Sequence, residues 1–300
     1  MGAPASLRGS IVPLVTPFRE GEIDFAEFEA AVERQVSEGS HGIAITGTTG
    51  EPTSLAAAER VDLYRRAAQV AAGRIAVVAA TGSPNQAETI ELTRAAEASG
   101  VDAALVVCPA FVKPSQEGLA RHFETVAGTT SLPLLIYNIP GRSGVGVTAD
   151  TVERVAESAS NLVGIKHASQ DLDLLTDLIL RLGEDFRVFC GLESFSYPFL
   201  SLGGAGLMSA VGNLMPARVA ELCELVAAGD HDRALAVHRE LFRINQAIFF
   251  DTNPGPLKTM LEATGQGSAE VRPPLAPLSS ATRARVLEAL ATVDIAESSV

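Results

Sequence analysis

Short, continuously apolar runs alternate with amphipathic stretches along most of this chain. The runs cover residues 11–15, 42–45, 75–80, 103–107, 134–137, 163–166, 186–190 and 206–209. Unbroken apolar character over so few residues is the pattern of parallel strands buried on both faces. Between the runs, stretches such as residues 25–39, 56–72, 86–100, 116–129, 149–158 and 172–182 repeat apolar positions at helical spacing, and several end in Gly, a common helix stop. Eight such β-α units predict an α/β fold, the (β/α)8 TIM barrel. A doubly wound sheet usually has fewer strands and often carries Gly-x-Gly-x-x-Gly after its first. Here Thr16-Pro17-Phe18 follows the first run. After Ser209 the strand pattern stops, and helical patterns follow at 216–228, 231–249, 254–264 and 280–291, with a polar, Gly- and Pro-rich loop at 265–277. The expected organisation is a barrel carrying the active site over residues 1–228 and a C-terminal helical extension over 229–300.

Composition narrows the class. Apolar residues make up 47% and charged residues 20%, as in ordinary globular proteins. No stretch approaches the roughly 18 consecutive apolar residues of a membrane span. Met1-Gly2-Ala3-Pro4-Ala5-Ser6-Leu7-Arg8 lacks the basic start and apolar core of a secretory leader. Cys108, Cys190 and Cys223 lie far apart, so neither disulfides nor a zinc ribbon are expected and a reducing cytoplasm is. The net charge of -13 disfavours nucleic acid and anionic membranes as partners. An anionic substrate would need local cations or backbone N–H groups against that background.

Within the 23 basic residues, only Lys113, Lys166 and Lys258 are lysines. In a chain that otherwise uses arginine, a lysine marks a candidate position for chemistry that needs the amine itself, because Arg does not give up its proton and a buried Lys can attack a carbonyl. Lys166 ends the apolar run Leu162-Val163-Gly164-Ile165. A strand-end lysine that extends into solvent is the plain alternative.

Barrel function collects at the C-terminal ends of strands. After the second strand, Gly47-Thr48-Thr49-Gly50-Glu51 offers backbone N–H groups and two hydroxyls suited to a carboxylate; an ordinary N-capped turn reads the same way. The fifth strand ends in Tyr137-Asn138-Ile139-Pro140-Gly141-Arg142. Tyr137 is a candidate proton carrier or a packed amphipathic ring. Neighbouring parallel strands lie roughly 4.8 Å apart, so Tyr137 and Lys166 should open onto one mouth. By strand alternation, His167 should point away from it. No His, Cys, Asp or Glu cluster suits a metal. Gly203-Gly204-Ala205-Gly206 reads as close turn packing or as a phosphate loop.

Together these motifs resemble the dihydrodipicolinate synthase / N-acetylneuraminate lyase family across nearly the whole chain. The matching segments are Gly47-Thr48-Thr49-Gly50-Glu51, Pro114-Ser115-Gln116-Glu117-Gly118, Tyr137-Asn138-Ile139-Pro140-Gly141-Arg142-Ser143-Gly144, Gly164-Ile165-Lys166 and Asn253-Pro254-Gly255-Pro256-Leu257-Lys258. The resemblance implies a cofactor- and metal-independent Schiff-base lyase, usually a homotetramer, acting on pyruvate or a similar 2-oxo acid and an aldehyde. It makes Lys166 the imine-forming lysine, Tyr137 the proton shuttle and Thr48 its relay partner. Thr49, with the backbone of Gly47 and Gly50, would hold the pyruvate carboxylate. Arg142 would meet a carboxylate on the second substrate, and the Met208 carbonyl would line the site.

The match has departures. Phe111, in Cys108-Pro109-Ala110-Phe111-Val112-Lys113-Pro114, stands where the synthases carry a relay tyrosine. Ala110, Pro52, Ala57, Arg60 and Pro84 depart from the pocket of lysine-inhibited synthases, while Glu88 is kept, so lysine inhibition is not expected. Arg142 suits a synthase or a catabolic aldolase for a carboxylated 4-hydroxy-2-oxo acid. Sugar-acid aldolases or dehydratases and a non-catalytic 2-oxo-acid-binding barrel stay open on sequence.

Overall fold

Eight parallel strands close into a barrel in the computed structural model, which describes residues 7–293. They are β1 (Gly9–Pro13), β2 (Gly42–Ile45), β3 (Ala76–Ala80), β4 (Ala103–Val107), β5 (Leu134–Asn138), β6 (Leu162–His167), β7 (Arg187–Cys190) and β8 (Gly206–Leu207). Each pairs with its neighbour in sequence, and β8 closes on β1 through Gly9–Gly206 and Ser10–Leu207. All eight apolar runs become strands. β8 is shorter than its run because Ser209 leads into a 3-10 turn at Ala210–Asn213.

The outer layer is α1 (Phe25–Ser37), α2 (Ala57–Ala71), α3 (Gln86–Ala98), α4 (Gln116–Ala127), α5 (Ala149–Ser158), α6 (Leu172–Leu182), α7 (Ser196–Ser201) and α8 (Pro216–Ala227). Side chains of Asp24, Asn85, Ser115, Thr148 and Asp171 accept backbone N–H groups at the starts of α1, α3, α4, α5 and α6, which satisfies donors that a helix start leaves open. The periodicity missed α7, a six-residue helix containing Pro198. It also missed a small antiparallel hairpin, Phe18–Arg19 with Glu22–Ile23. Two-residue strands are too short to show a period.

Three further helices follow: α9 (His231–Ala247), α10 (Gly255–Ala263) and α11 (Ser280–Leu290). Residues 264–279 form neither helix nor strand, as their Gly and Pro content predicts. The N-terminal stretch without a leader pattern and the last residues of the extension lie in part outside the described residues. Among the described residues, no helix is long and apolar enough to cross a membrane.

The barrel interior packs Leu7, Ile11, Val78, Leu105, Leu135, Val163 and Phe189 around Tyr137 and Met208. A larger cluster lies between strands and helices, and Leu241, Ile244, Leu257, Met260 and Leu261 of α9 and α10, with Ile248 just past α9, belong to it together with Val219 and Leu222 of α8. Each fully buried side chain of this kind contributes roughly 1.5–3 kcal/mol. The extension is therefore fastened to the barrel through a shared core. Gly206 and Gly204 serve close packing: a Cβ would stand 2.1 Å from Gly9 O and 2.4 Å from Phe199 Cδ1, respectively. Their loop precedes β8, at the barrel end opposite the strand C-termini, where a phosphate loop would not meet Lys166.

Candidate active site

Register places Tyr137 of β5 directly beside Lys166 of β6. Side chains two residues apart share a face, so Gly164 also points inward, where a Cβ would stand 2.1 Å from Arg187 O. Lys166 is buried, 6% exposed, and its Nζ lies 4.4 Å from the Tyr137 ring centroid. On the other side, a Cβ on Gly191, just past β7, would come within 2.9 Å of Lys166 Cε. The amine therefore occupies a slot shaped by Tyr137 and by the missing side chain of Gly191.

His167 points the other way, as alternation predicts. Asn138 Nδ2 donates to its Nδ1 at 3.0 Å, and its Nε2–H donates to the Asp171 carbonyl at 2.8 Å. Burial holds its pKa below the usual imidazole value, with the Asp171 carbonyl opposing.

The turn after β2 supplies the hydroxyls. Thr48 Oγ1 lies 3.4 Å from Tyr137 OH. Thr48–Gly50 is a single 3-10 turn, and Gly50 packs tightly: a Cβ would stand 3.2 Å from Leu14 O. Thr49 is buried and its Oγ1 accepts from Asn253 Nδ2 at 3.0 Å.

Thr48, Thr49, Tyr137, Arg142, Lys166 and Met208 line one cavity of about 260 Å³ at the C-terminal mouth of the barrel. Gly47 and Gly50 shape the turn behind Thr48 and Thr49 without lining the cavity themselves. A larger cavity, about 550 Å³, opens at the opposite end beside Gly9 and His41. It holds neither lysine nor tyrosine and lies away from the strand C-termini. Arg142 is exposed at the mouth of the smaller cavity, in the turn Pro140–Ser143, and makes no ion pair among the described residues. Its guanidinium is free to meet an anion.

Phe111 is not brought to the cavity. It sits in the loop after β4, 89% exposed at φ 71°, next to Val112 at 70%. Among the described residues no group of three or more His, Cys, Asp or Glu is placed to hold a metal. The three cysteines are buried and unpaired, and burial pushes their thiols up to about 12.

Among the cavity residues to which sequence reasoning gave no role are Gly191, Glu193 and Asn253. The first two follow β7 directly, and reading that strand end as the others were read would have found them. Glu193 is 4% exposed; its Oε1 accepts the Ala210 amide at 2.8 Å, and its Oε2 has no partner among the described residues. Burial raises its carboxyl pKa, opposed by the Ala210 hydrogen bond and the charge of Lys166. Asn253 belongs to a motif the sequence had singled out, but only the fold brings it to Thr49.

The family model for the dihydrodipicolinate synthetase family matches residues 6–293. The chain belongs to this family. A 4-hydroxy-tetrahydrodipicolinate synthase from Thermus thermophilus is 49% identical over 271 residues, covering 90% of this chain and 91% of that one. The structure of the 4-hydroxy-tetrahydrodipicolinate synthase from Methylacidiphilum fumariolicum SolV superposes with a TM-score of 0.94 at 38% identity over 97% of both chains. A chloride-inhibited dihydrodipicolinate synthase from Acinetobacter baumannii, complexed with pyruvate, superposes at 0.92 with 36% identity over 95% of this chain and 98% of that one. Membership makes the protein a class I, Schiff-base lyase of the aldolase type. The (β/α)8 barrel and C-terminal helices expected from sequence are those of the dihydrodipicolinate synthetase family.

Proposed function

We propose that this family member joins pyruvate to a carboxylated aldehyde through an imine on Lys166, the nearest named activity being 4-hydroxy-tetrahydrodipicolinate synthase. The observation that carries the reading is the buried Lys166 amine beside Tyr137, with Thr48 within reach of the phenol, in a cavity whose mouth holds a free Arg142. The neutral amine attacks C2 of pyruvate, and loss of the carbonyl oxygen as water leaves an iminium. The iminium accepts the electrons of a C3–H bond, and the departing proton leaves an enamine. Enamine C3 then adds to the aldehyde carbon, and hydrolysis frees Lys166. Tyr137, relayed through Thr48, carries protons in these steps. Thr49 and the turn amides hold the pyruvate carboxylate, Arg142 the carboxylate of the partner, and the Met208 carbonyl lines the pocket. The chemistry needs neither metal nor cofactor.

A catabolic aldolase for a carboxylated 4-hydroxy-2-oxo acid is the second reading, favoured by Phe111, which has no hydroxyl to extend a relay. The exposed Phe111 and Val112 also support a homotetramer, in which a partner subunit would cover them. Three buried, unpaired cysteines suit a reducing cytoplasm. We further divide the chain into a barrel, 1–228, and an extension, 229–300, on the end of the strand pattern at β8.

Borohydride trapping with pyruvate, read by mass spectrometry, tests the imine. The expected result is one adduct on Lys166, lost in Lys166→Ala. No adduct, or one that persists in the variant, refutes the reading. Turnover with aspartate semialdehyde, succinate semialdehyde, glyoxylate and N-acetylmannosamine then identifies the partner; fastest turnover of aspartate semialdehyde supports the synthase, and of glyoxylate or succinate semialdehyde the aldolase. Adduct formation without turnover of any aldehyde would leave a binding barrel.

A further inference from the structure

The turn that presents Thr48 and Thr49 is held from outside the barrel. Its own bonds are few: Gly50 N to Gly47 O at 2.8 Å and Glu51 N to Thr48 O at 3.3 Å. A 3-10 turn has poor hydrogen-bond geometry and little intrinsic stability, and only another short one, Pro52–Ser54, follows it. Glu51, which ends Thr48–Gly50, sits at φ 55°, where a non-glycine residue persists only under external constraint. Three consecutive residues of the turn are each tied to a different part of the chain. Asn253 Nδ2 donates to Thr49 Oγ1 at 3.0 Å, Thr16 Oγ1 donates to Gly50 O at 2.7 Å, and Lys258 Nζ donates to the Glu51 carboxylate.

The tie at Glu51 is buried on both sides, with Lys258 0% exposed. Lys258 Nζ also donates to Glu270 O at 2.7 Å and lies 4.3 Å from the Phe18 ring centroid. The second Glu51 oxygen accepts the Arg272 amide at 3.1 Å, and the Arg272 guanidinium takes Glu59 in two bonds of 2.9 and 2.8 Å. Removing one partner of a buried ion pair leaves an uncompensated charge, whereas replacing both by neutral groups of similar shape removes it. Lys258 is one of the three lysines of the chain. Its compact ammonium reaches the Glu51 carboxylate and the Glu270 carbonyl at once, and the Arg272 guanidinium stacks on the same Phe18 ring at 4.6 Å.

We propose that Lys258 and Asn253, from the C-terminal extension, are positioning residues that fix the Thr48–Gly50 turn and thereby set the affinity of the site for the carboxylate of its 2-oxo acid. Asn253 orients the Thr49 hydroxyl by occupying its oxygen with a donor, and Lys258 holds the backbone that follows by anchoring Glu51. The extension is in this sense part of the binding site. The inference rests on the imine reading above.

The test uses the full chain, with pyruvate as ligand and borohydride-trapped Lys166 as readout. Lys258→Met is expected to raise the half-saturating pyruvate concentration about tenfold or more, while the adduct formed at saturation changes little. Glu51→Gln combined with Lys258→Met, which removes the stranded charge without restoring the tie, is expected to recover most of the lost stability while half-saturation stays raised. Asn253→Ala, which touches no charge, is expected to raise half-saturation severalfold and to keep the reading testable should Lys258→Met fail to fold. Half-saturation unmoved in Asn253→Ala and in the folded Lys258 variants, with only the melting temperature lowered, overturns the proposal and leaves a purely structural ion pair. No adduct on the wild-type protein removes the imine reading and this inference with it; an adduct with unmoved half-saturation removes this inference alone.

Discussion

Gly191→Ala adds one methyl group at the wall of the lysine slot. Gly191 does not have a positive φ, so alanine can adopt its backbone and the effect comes from space alone. The added Cβ would stand 2.9 Å from Lys166 Cε and 2.8 Å from Ala168 Cβ. Carbon atoms prefer about 3.5–4.0 Å, so relief requires a displacement of about 0.6 Å or more on each side. Ala168 leaves β6 on a backbone bond, its N donating to Asn138 O at 2.9 Å, and yields little. The flexible Lys166 chain yields more. Stability should fall by the roughly 1–3 kcal/mol of an overpacked site, and the melting temperature by several degrees at most, since about 1 kcal/mol corresponds to a few degrees or less in a chain of this size. The reaction should suffer far more. A misplacement near 1 Å costs about 10²-fold when a nucleophile must meet its target in line. Pyruvate affinity should move little, because the atoms nearest the new methyl group belong to Lys166 and Ala168 and not to the threonine turn that follows β2. The assay is the rate of borohydride-trapped adduct formation at saturating pyruvate, with a thermal melt alongside. A Gly191→Ala protein that traps pyruvate within about threefold of the wild-type rate would refute the slot argument.

Tyr137→Phe removes one hydroxyl whose recorded contact is Thr48 at 3.4 Å; kcat is expected to fall by about 10²–10⁴, as for a lost general acid–base group, with the melt nearly unchanged, and normal kcat would remove Tyr137 from the proton path. Arg142→Ala, at the exposed mouth, should raise KM for a carboxylated aldehyde while leaving pyruvate trapping unchanged, and an equal loss with an uncharged aldehyde would contradict its role. His122 is buried against Phe123, and burial lowers its pKa from 6.5 to about 4. The unfolded chain takes up this proton near pH 6.5 and the folded chain only near 4, so stability from this group is lost as pH falls between those values, by up to about 3 kcal/mol. His122→Gln should flatten that part of the stability–pH curve in denaturant melts; an unchanged slope would show that other groups carry it.

The barrel was legible because its signals are local. A strand buried on both faces has to be apolar along its length, so eight such runs announced eight strands, and their closure into a barrel followed from the helices between them. Tyr137 and Lys166 could be paired from sequence because β5 and β6 are consecutive, and consecutive strands of a (β/α)8 barrel are neighbours. The hairpin at Phe18 and the helix at Ser196 were not legible, since two-residue strands and a six-residue helix are too short to repeat their periods of 2 and about 3.6. Gly191 and Glu193 were within reach at the end of β7, but the spatial need for a missing side chain at Gly191 appears only once Lys166 is seen against it.

The lysines show the division most sharply. Scarcity singled out Lys166 and Lys258 equally, and position at a strand end favoured the first. Tertiary structure separated them: Lys166 opens onto a cavity beside a phenol, and Lys258 is closed in by Glu51, Glu270 and Phe18. The sequence by itself determined the barrel, the strand ends and the chemistry each end can offer, because periodicity and residue type act over a few residues. Which groups meet those ends across 204 and 207 residues of chain, as Asn253 meets Thr49 and Lys258 meets Glu51, was decided only by the fold. Such contacts depend on how the extension packs back onto the barrel, and no local pattern records that return.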